Sequence, residues 1–197
     1  MGNSSTDPAA SVACLASLFH LNRNKESIVS LHPFDKLPLS DGGALIFTPC
    51  PGTRDADLRA SLAQLAQAGA SAVITLMPDD EMIRNDVAAL PDACSELGLH
   101  WFHFPVEDDA SPGETFKQAW EKDKQGVFDT LHEQGTIAIH CKGGSGRTGL
   151  MAAIVLLERG VPSEQVVEQV KSLRPNALKL AVHTDYLAQN YDKRIEQ

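Results

Sequence analysis

The sequence has few basic residues and no long apolar segment. Lys and Arg together number 17 against 26 Asp and Glu, which leaves a net charge of −9. Nucleic-acid partners are disfavoured by this balance, because phosphate backbones attract basic surfaces. The longest apolar run, Leu150 to Leu157, is far shorter than the roughly 20 residues that span a bilayer. We therefore expect no nucleic-acid partner and no integral membrane segment.

Paired cysteine motifs are also absent. The four cysteines show neither a C-x-x-C pair nor the Cys/His spacing of a zinc site. His100 and His103 fall in a predicted strand, where their odd spacing places them on opposite faces. With no export signal at the N-terminus and no disulfide pattern, the chain is expected to be cytoplasmic. We expect no metal site and no cofactor.

The length of 197 residues fits a single domain with a short N-terminal tail. Residues 1–40 mix Ser, Asn, Pro and scattered apolar residues without sustained periodicity. They are predicted to form a partly ordered tail, with a short helix at about Val12 to Phe19. Regular patterning starts at Gly43, so residues 41–197 are predicted to form the folded domain.

Within that domain, apolar runs alternate with helical periodicity. The runs predict four strands, at Ala44–Thr48, Ala72–Leu76, Leu99–Phe104 and Thr136–His140. Helices are predicted at Asp55–Ala68, Pro91–Leu97, Glu114–Glu133, Thr148–Arg159, Glu164–Leu173 and Leu178–Gln189. Strands separated by helices of this length form parallel βα units. The expected fold class is α/β, with a central, mostly parallel sheet and helices on both faces.

A glycine-rich segment lies between the last predicted strand and an almost wholly apolar helix. Ligands bind at the carboxyl ends of the strands in such sheets, and a helix N-terminus favours an anion. Three glycines let successive backbone N–H groups converge on that anion. We name Cys141 to Arg147 the phosphate loop. Its predicted phosphate-binding residues are Lys142, Gly143, Gly144, Ser145, Gly146 and Arg147.

Cys141 and Arg147 carry the predicted chemistry of this loop. The positive potential of the loop favours a cysteine thiolate, which is the nucleophilic form. The planar guanidinium can donate two parallel hydrogen bonds to two phosphate oxygens. Attack of the thiolate on phosphorus gives a phosphocysteine that water later hydrolyses. A nucleotide-binding loop is excluded because Leu150 stands where that motif needs lysine.

A second cysteine is predicted near the same sheet edge. Cys50 follows the first predicted strand, as Cys141 follows the last. Peroxide readily oxidises an accessible thiolate. Oxidation could therefore link the two cysteines in a reversible disulfide, although simple packing explains Cys50 as well.

The segment His140-Cys141-x5-Arg147-Thr148 resembles the signature of the protein tyrosine phosphatase superfamily, in its dual-specificity branch. The resemblance covers about residues 43–191, and the segments 48–52 and 104–108 are most similar to the kinase-associated members. It implies a cysteine-phosphatase fold, with residues 41–197 as the phosphatase catalytic domain. It also implies hydrolysis of protein phosphotyrosine and phosphothreonine, with a phosphorylated protein, such as a kinase, as partner.

The resemblance also implies roles for residues around the loop. It aligns Asp108, within the acidic run Glu107 to Asp109, with the general acid that protonates the leaving group. Thr148 would stabilise the cysteine thiolate when it leaves. His140 would orient the loop, although a packing histidine is an equally good interpretation.

Two features leave the substrate and the second step open. Lys179 and His183 stand where the family commonly has glutamine or glutamate, so the group that positions water is not identified. Lys142 directly follows the nucleophile, as in superfamily members that act on inositol phospholipids, while Ser145 is neutral. A phosphatase of inositol phosphates or phosphoinositides is the alternative function. A non-catalytic phosphate-binding adaptor is less favoured, because the cysteine, arginine and acid are all present.

Overall fold

The computed structural model describes residues 31–191. Its five strands are β1 (Asp35–Pro38), β2 (Ala44–Pro49), β3 (Ala70–Thr75), β4 (His100–His103) and β5 (Thr136–Cys141). Its seven helices are α1 (Leu58–Gln67), α2 (Asp79–Arg84), α3 (Leu90–Glu96), α4 (Glu114–His132), α5 (Gly146–Glu158), α6 (Ser163–Leu173) and α7 (Ala181–Asn190). Among residues 31–191, no helix is long and apolar enough to cross a membrane.

The five strands form one sheet in the order β1-β2-β5-β3-β4. β2, β5, β3 and β4 run parallel, and β1 pairs antiparallel with β2 at the edge. β5 is the central strand, and its last residues pair with both neighbours: Cys141 lies opposite Pro49, and His140 lies opposite Thr75. The carboxyl ends of three parallel strands therefore converge where β5 ends.

Side chains that alternate along the strands pack into two cores, one on each face of the sheet. Leu45 and Phe47 of β2 pack with residues of α4, α5, α6 and α7. Ile46, which points the other way, packs with residues of α1, α2 and α3. The alternation follows from the period of two along a strand. The predicted α/β class, with a mostly parallel sheet covered on both faces, is confirmed.

The structure adds two elements to those predicted. β1 falls within the segment that was predicted to be tail, and its exposed, charged four-residue sequence shows no hydrophobic alternation. Short, charged edge strands of this kind carry little periodic signal. α2 is only six residues long and starts with two exposed aspartates, so its sequence resembles a loop. The helix predicted near residues 12–19 lies outside the described residues.

Candidate active site

Strand β5 and helix α5 place the phosphate loop at the carboxyl edge of the sheet. β5 ends at Cys141, and α5 begins at Gly146, two residues earlier than the sequence predicted. Arg147 and Thr148 consequently lie in the first turn of α5, where the free N–H groups of a helix point outward. The helix is held in place because its residues 147–156 are all buried.

Cys141 lies at the base of the loop and is only 4% exposed. The Oγ1 hydroxyl of Thr148 donates a hydrogen bond to its Sγ atom at 3.3 Å. The contact is the one that the predicted role of Thr148 requires.

Arg147 is buried, 2% exposed, and its charge is balanced by a carboxylate that the sequence analysis did not identify. Its Nη1 atom lies 2.5 Å from Glu81 Oε2, and its Nη2 atom lies 2.8 Å from Glu81 Oε1. Nη1 also donates to the backbone oxygen of Val106 at 3.0 Å. Glu81 comes from α2 and is itself buried. The pair fixes the end of the guanidinium against the protein.

The other edge of the guanidinium, formed by Nε and Nη2, has one unpaired nitrogen and one contact to Asp108. Nε of Arg147 is buried and has no hydrogen-bond partner among the described residues. Nη2 lies 3.0 Å from Asp108 Oδ1. Burial alone would lower the pKa of Arg147, but the hydrogen bonds to Glu81 and the charges of Cys141 and Asp108 outweigh it and raise that pKa. The cation is thus stable in the buried site, with its Nε–Nη2 edge suited to two phosphate oxygens.

Gly144 and Arg174 fix the shape of the loop. Gly144 has a positive φ of 72°, and a Cβ atom there would lie 2.4 Å from the backbone nitrogen of Pro49. Only glycine allows this close approach of loop and β2. Arg174 Nε donates to the Gly144 oxygen at 2.7 Å, and its Nη2 donates to the Phe47 oxygen at 2.8 Å. The loop is therefore held from both sides, by β2 and by the arginine that follows α6.

His140 lies beneath the loop, fully buried. Thr75 Oγ1 accepts from Trp101 Nε1 at 2.8 Å and forms a hydrogen bond with His140 Nε2, also at 2.8 Å. Burial lowers the pKa of His140 to about 3, so the ring is neutral near pH 7. The ring thus connects β5 and β3 beneath the loop, a contact that suits orientation of the loop and simple packing equally.

The predicted general acid reaches the loop from the segment that follows β4. Asp108 contacts Arg147 although its side chain is 72% exposed. Asp109 also faces the cavity above Cys141, but its backbone has a positive φ of 56° and it makes no ion pair with Arg147. Glu107 lines a different cavity, next to Pro78 and Phe116. Of the three acidic residues, Asp108 is the one that the structure brings to the guanidinium.

His183, in α7, forms a hydrogen bond with the segment that contains Asp108 and Asp109. Its ring is 1% exposed, and Nε2 lies 3.1 Å from the backbone oxygen of Ala110. Because a carbonyl only accepts, Nε2 carries the proton. Burial lowers the pKa of His183 and keeps the ring neutral. Lys179, the other departure from the family pattern, instead donates to Asn176 Oδ1 at 2.5 Å.

A cavity of about 470 Å³ opens above the phosphate loop. Four of the predicted phosphate-binding residues line it beside Arg147, whereas Gly144 is buried behind them. The lining residues are Thr53, Arg54, Asn85, Asp108, Asp109, Cys141, Lys142, Gly143, Ser145, Gly146, Arg147, Leu180 and His183. Within residues 31–191 there is no group of three or more His, Cys, Asp or Glu side chains that could hold a metal.

Cys50 lies behind the same loop. Its backbone nitrogen donates to the Lys142 oxygen at 3.2 Å, and its side chain is fully buried. Burial, reinforced by the nearby charges of Cys141 and Glu81, raises the pKa of Cys50 to about 12. Cys50 is therefore a thiol near pH 7, next to the predicted nucleophile.

Glu81 is the important site residue that the sequence analysis missed. It follows Asp79 and Asp80, and such acidic runs usually mark solvated loops. One signal was available: a buried arginine needs a buried counter-ion, because an unpaired buried charge is very costly. The segment that contains Glu81 follows β3, which lies next to β5 in the sheet. Its acidic residues were therefore candidates for the counter-ion of Arg147.

Comparisons with known proteins agree with this site. Residues 51–161 match the family model Tc-R-P, described as polymorphic toxin system, DSP-PTPase phosphatase. The probable protein tyrosine phosphatase type IVA B of Dictyostelium discoideum is 37% identical over 88 residues, covering 44% of this chain and 54% of that protein. Rat cyclin-dependent kinase inhibitor 3 is 25% identical over 150 residues, covering 73% of this chain and 69% of that protein. The chain thus spans about half to two thirds of the length of these relatives.

Solved structures show the same fold. The kinase-associated phosphatase, with its catalytic-site cysteine replaced by serine, aligns with a TM-score of 0.73 and 21% identity, over 85% of this chain and 98% of that chain. A mutant form of the phosphatase Tk-PTP aligns with a TM-score of 0.63 and 21% identity, over 82% of this chain and 97% of that chain. The predicted resemblance to the dual-specificity branch, and to the kinase-associated members within it, is confirmed by the matches to cyclin-dependent kinase inhibitor 3 and to the kinase-associated phosphatase. By the match of its residues 51–161, the chain belongs to the Tc-R-P family of DSP-PTPase phosphatases, within the protein tyrosine phosphatase superfamily.

Proposed function

We propose that the protein hydrolyses phosphate monoesters on tyrosine and threonine side chains of proteins, through a phosphocysteine on Cys141. One observation carries this proposal: a buried cysteine and a buried arginine line one cavity, where the arginine's Nε has no partner among the described residues and its Nη2 contacts the exposed Asp108. Family membership supports the same chemistry.

Phosphate binding would prepare the general acid. Asp108 lies on Nη2 of Arg147, one of the two donors that a phosphate would use. When phosphate oxygens take that edge, Asp108 loses its cationic partner and gains a dianionic neighbour. The substrate itself would thus turn Asp108 from an ion-pair partner into a proton donor.

In the first chemical step the Cys141 thiolate attacks phosphorus. The S–P bond forms while the bond from phosphorus to the ester oxygen breaks, and Asp108 gives its proton to that oxygen. Arg147 and the backbone N–H groups of the loop stabilise the charge on the phosphoryl oxygens. The product alcohol leaves, and the phosphoryl group stays on sulfur.

In the second step a water molecule attacks the phosphocysteine. Asp108, now ionised, accepts a proton from the water as its oxygen bonds to phosphorus and the S–P bond breaks. The hydroxyl of Thr148, 3.3 Å from Sγ, stabilises the departing thiolate. Inorganic phosphate then leaves and the enzyme is restored.

A phosphorylated protein is the proposed partner, because the curated relatives are named protein tyrosine phosphatases and a kinase inhibitor. A cytoplasmic location fits a catalytic thiol, which must stay reduced. The test is turnover of phosphotyrosyl and phosphothreonyl peptides by the native protein and by a Cys141→Ser variant. We expect hydrolysis by the native protein that EDTA does not inhibit. Hydrolysis that depends on added metal, or that survives in Cys141→Ser, would refute the proposal.

A further inference from the structure

The cavity above Cys141 is charged differently on its two sides. Asp108 and Asp109 line it from the segment after β4, whereas Arg54 and Lys142 line it from the turns that follow β2 and β5. His183 is kept neutral by burial, so it adds no charge to either side. The volume of about 470 Å³ is within the range of small-molecule sites, roughly 300 to 1,000 Å³. The cavity therefore has room beyond the phosphate loop, and its β2–β5 side is cationic.

Arg54 differs from the other arginines of residues 31–191 because it has no ion pair within that range. Every other arginine there pairs with a carboxylate, in the pairs Arg59–Glu96, Arg84–Asp80, Arg147–Glu81, Arg159–Asp41 and Arg174–Asp35. Carboxylates are plentiful in a chain of net charge −9, and Asp55 is the next residue. Arg54 nevertheless lies at the rim of the cavity. Its guanidinium has five N–H groups, and none of them donates to a described residue.

Lys142 lies on the same rim and is also exposed. Backbone contacts connect the segments that carry the two cations: Cys50 N donates to the Lys142 oxygen at 3.2 Å, and Thr53 N donates to the Cys50 oxygen at 3.2 Å. The Thr53 hydroxyl also donates to the Cys50 oxygen, at 2.7 Å. The backbone of the turn that carries Arg54 is thus tied to the loop that carries Lys142.

We propose that Arg54 and Lys142 form a second anion subsite, which binds another phosphate group of the substrate next to the phosphate that is hydrolysed. This rests on the proposed function of the first site. Two cations match a phosphate dianion better than a singly charged carboxylate, and a guanidinium fork binds two phosphate oxygens at once. Two kinds of substrate supply such a pair of phosphates: a small polyol bisphosphate, and a peptide with two neighbouring phosphorylated side chains.

The experiment measures kcat/KM for two matched substrate pairs. One pair is an inositol monophosphate and a vicinal inositol bisphosphate; the other is a phosphotyrosyl peptide with and without a second phosphate on a neighbouring threonine. We expect the native protein to have a higher kcat/KM for the doubly phosphorylated member of at least one pair. The pair that shows this preference identifies which kind of substrate supplies the second phosphate. Arg54→Gln should reduce that preference about tenfold, as expected for one charge-assisted contact at a partly solvated rim. Arg54→Lys should retain most of it.

Lys171→Gln is the matched control, because Lys171 is exposed on α6, away from the cavity. It removes the same charge and should leave the preference unchanged. The subsite is refuted when the native protein prefers neither doubly phosphorylated substrate, or when Lys171→Gln lowers the preference as much as Arg54→Gln. If no monophosphate is turned over, the proposed function fails by itself. In that case, calorimetry measures binding of the inositol bisphosphate to Cys141→Ser and to the double variant Cys141→Ser/Arg54→Gln. The subsite requires weaker binding to the double variant.

Discussion

Replacing Glu81 by glutamine removes the carboxylate that holds Arg147 in place while it preserves the shape of the side chain. Both Glu81 oxygens accept from Arg147, at 2.5 and 2.8 Å, and both side chains are buried. A glutamine offers one oxygen and one NH2 group, so one of the two contacts becomes donor against donor. The buried guanidinium also loses its main counter-charge.

The size of both effects follows from general values and from the contacts that Arg147 keeps. Removing one partner of a buried ion pair costs about 3 to 5 kcal/mol. Asp108 and the Val106 oxygen still contact Arg147, so we expect the lower end, about 3 kcal/mol of unfolding free energy. A guanidinium that is no longer fixed from behind is misplaced relative to the phosphate, which typically lowers the rate about 100-fold. We therefore expect a comparable loss in kcat/KM for an aryl phosphate.

Urea denaturation and steady-state kinetics, both well below the unfolding temperature of the variant, measure these quantities. Glu96→Gln is the control, because Glu96 forms an exposed ion pair with Arg59 that should contribute about 1 kcal/mol or less. The positioning role of Glu81 is wrong if Glu81→Gln keeps kcat/KM within about twofold of the native value. It is also wrong if Glu81→Gln and Glu96→Gln lower the unfolding free energy by the same amount.

Three other residues of the site have measurable roles. Asp108→Asn should slow hydrolysis of tyrosyl and alkyl phosphates by about 10² to 10⁴-fold and of an activated aryl phosphate much less, whereas Asp109→Asn should show no such leaving-group dependence; the opposite pattern would falsify the assignment. Peroxide should inactivate the enzyme reversibly by linking Cys50 to Cys141, and mass spectrometry that finds no such link would end that hypothesis. Since burial lowers the pKa of His140 from 6.5 to about 3, the unfolded state binds its proton first, and stability should fall as pH drops from 6.5 towards 3. This histidine alone should lower the unfolding free energy by up to about 1.4 kcal/mol for each pH unit in that range. An unfolding free energy that stays constant between pH 6.5 and 5 would contradict its neutral, buried state.

The sequence predicted the parts of the site that depend on neighbouring residues. An apolar strand, three glycines and an apolar helix placed Cys141 and Arg147 together, because loop and helix start are contiguous in the chain. Asp108 was placed by resemblance to the family, and its contact with Arg147 agrees with that placement.

Contacts between distant segments were harder to predict. Glu81 lies 66 residues before Arg147, in a helix too short to show periodicity. Arg54 has an ordinary polar sequence around it, and its lack of an ion pair within residues 31–191 becomes visible only by comparison with the other arginines there. β1 has too few apolar residues to be predicted as a strand, since its pairing with β2 depends on backbone hydrogen bonds.

In the proposed mechanism, phosphate is transferred to Cys141 before water releases it. The most direct test of this transfer is rapid quenching of the enzyme during turnover of an aryl phosphate, followed by mass spectrometry of the peptide that contains Cys141. We expect one phosphoryl group on the Cys141 sulfur of the native protein, and neither this adduct nor turnover in Cys141→Ser, although that variant still binds phosphate through Arg147 and the loop. A phosphoryl group on another residue, or normal turnover in Cys141→Ser, would contradict the mechanism.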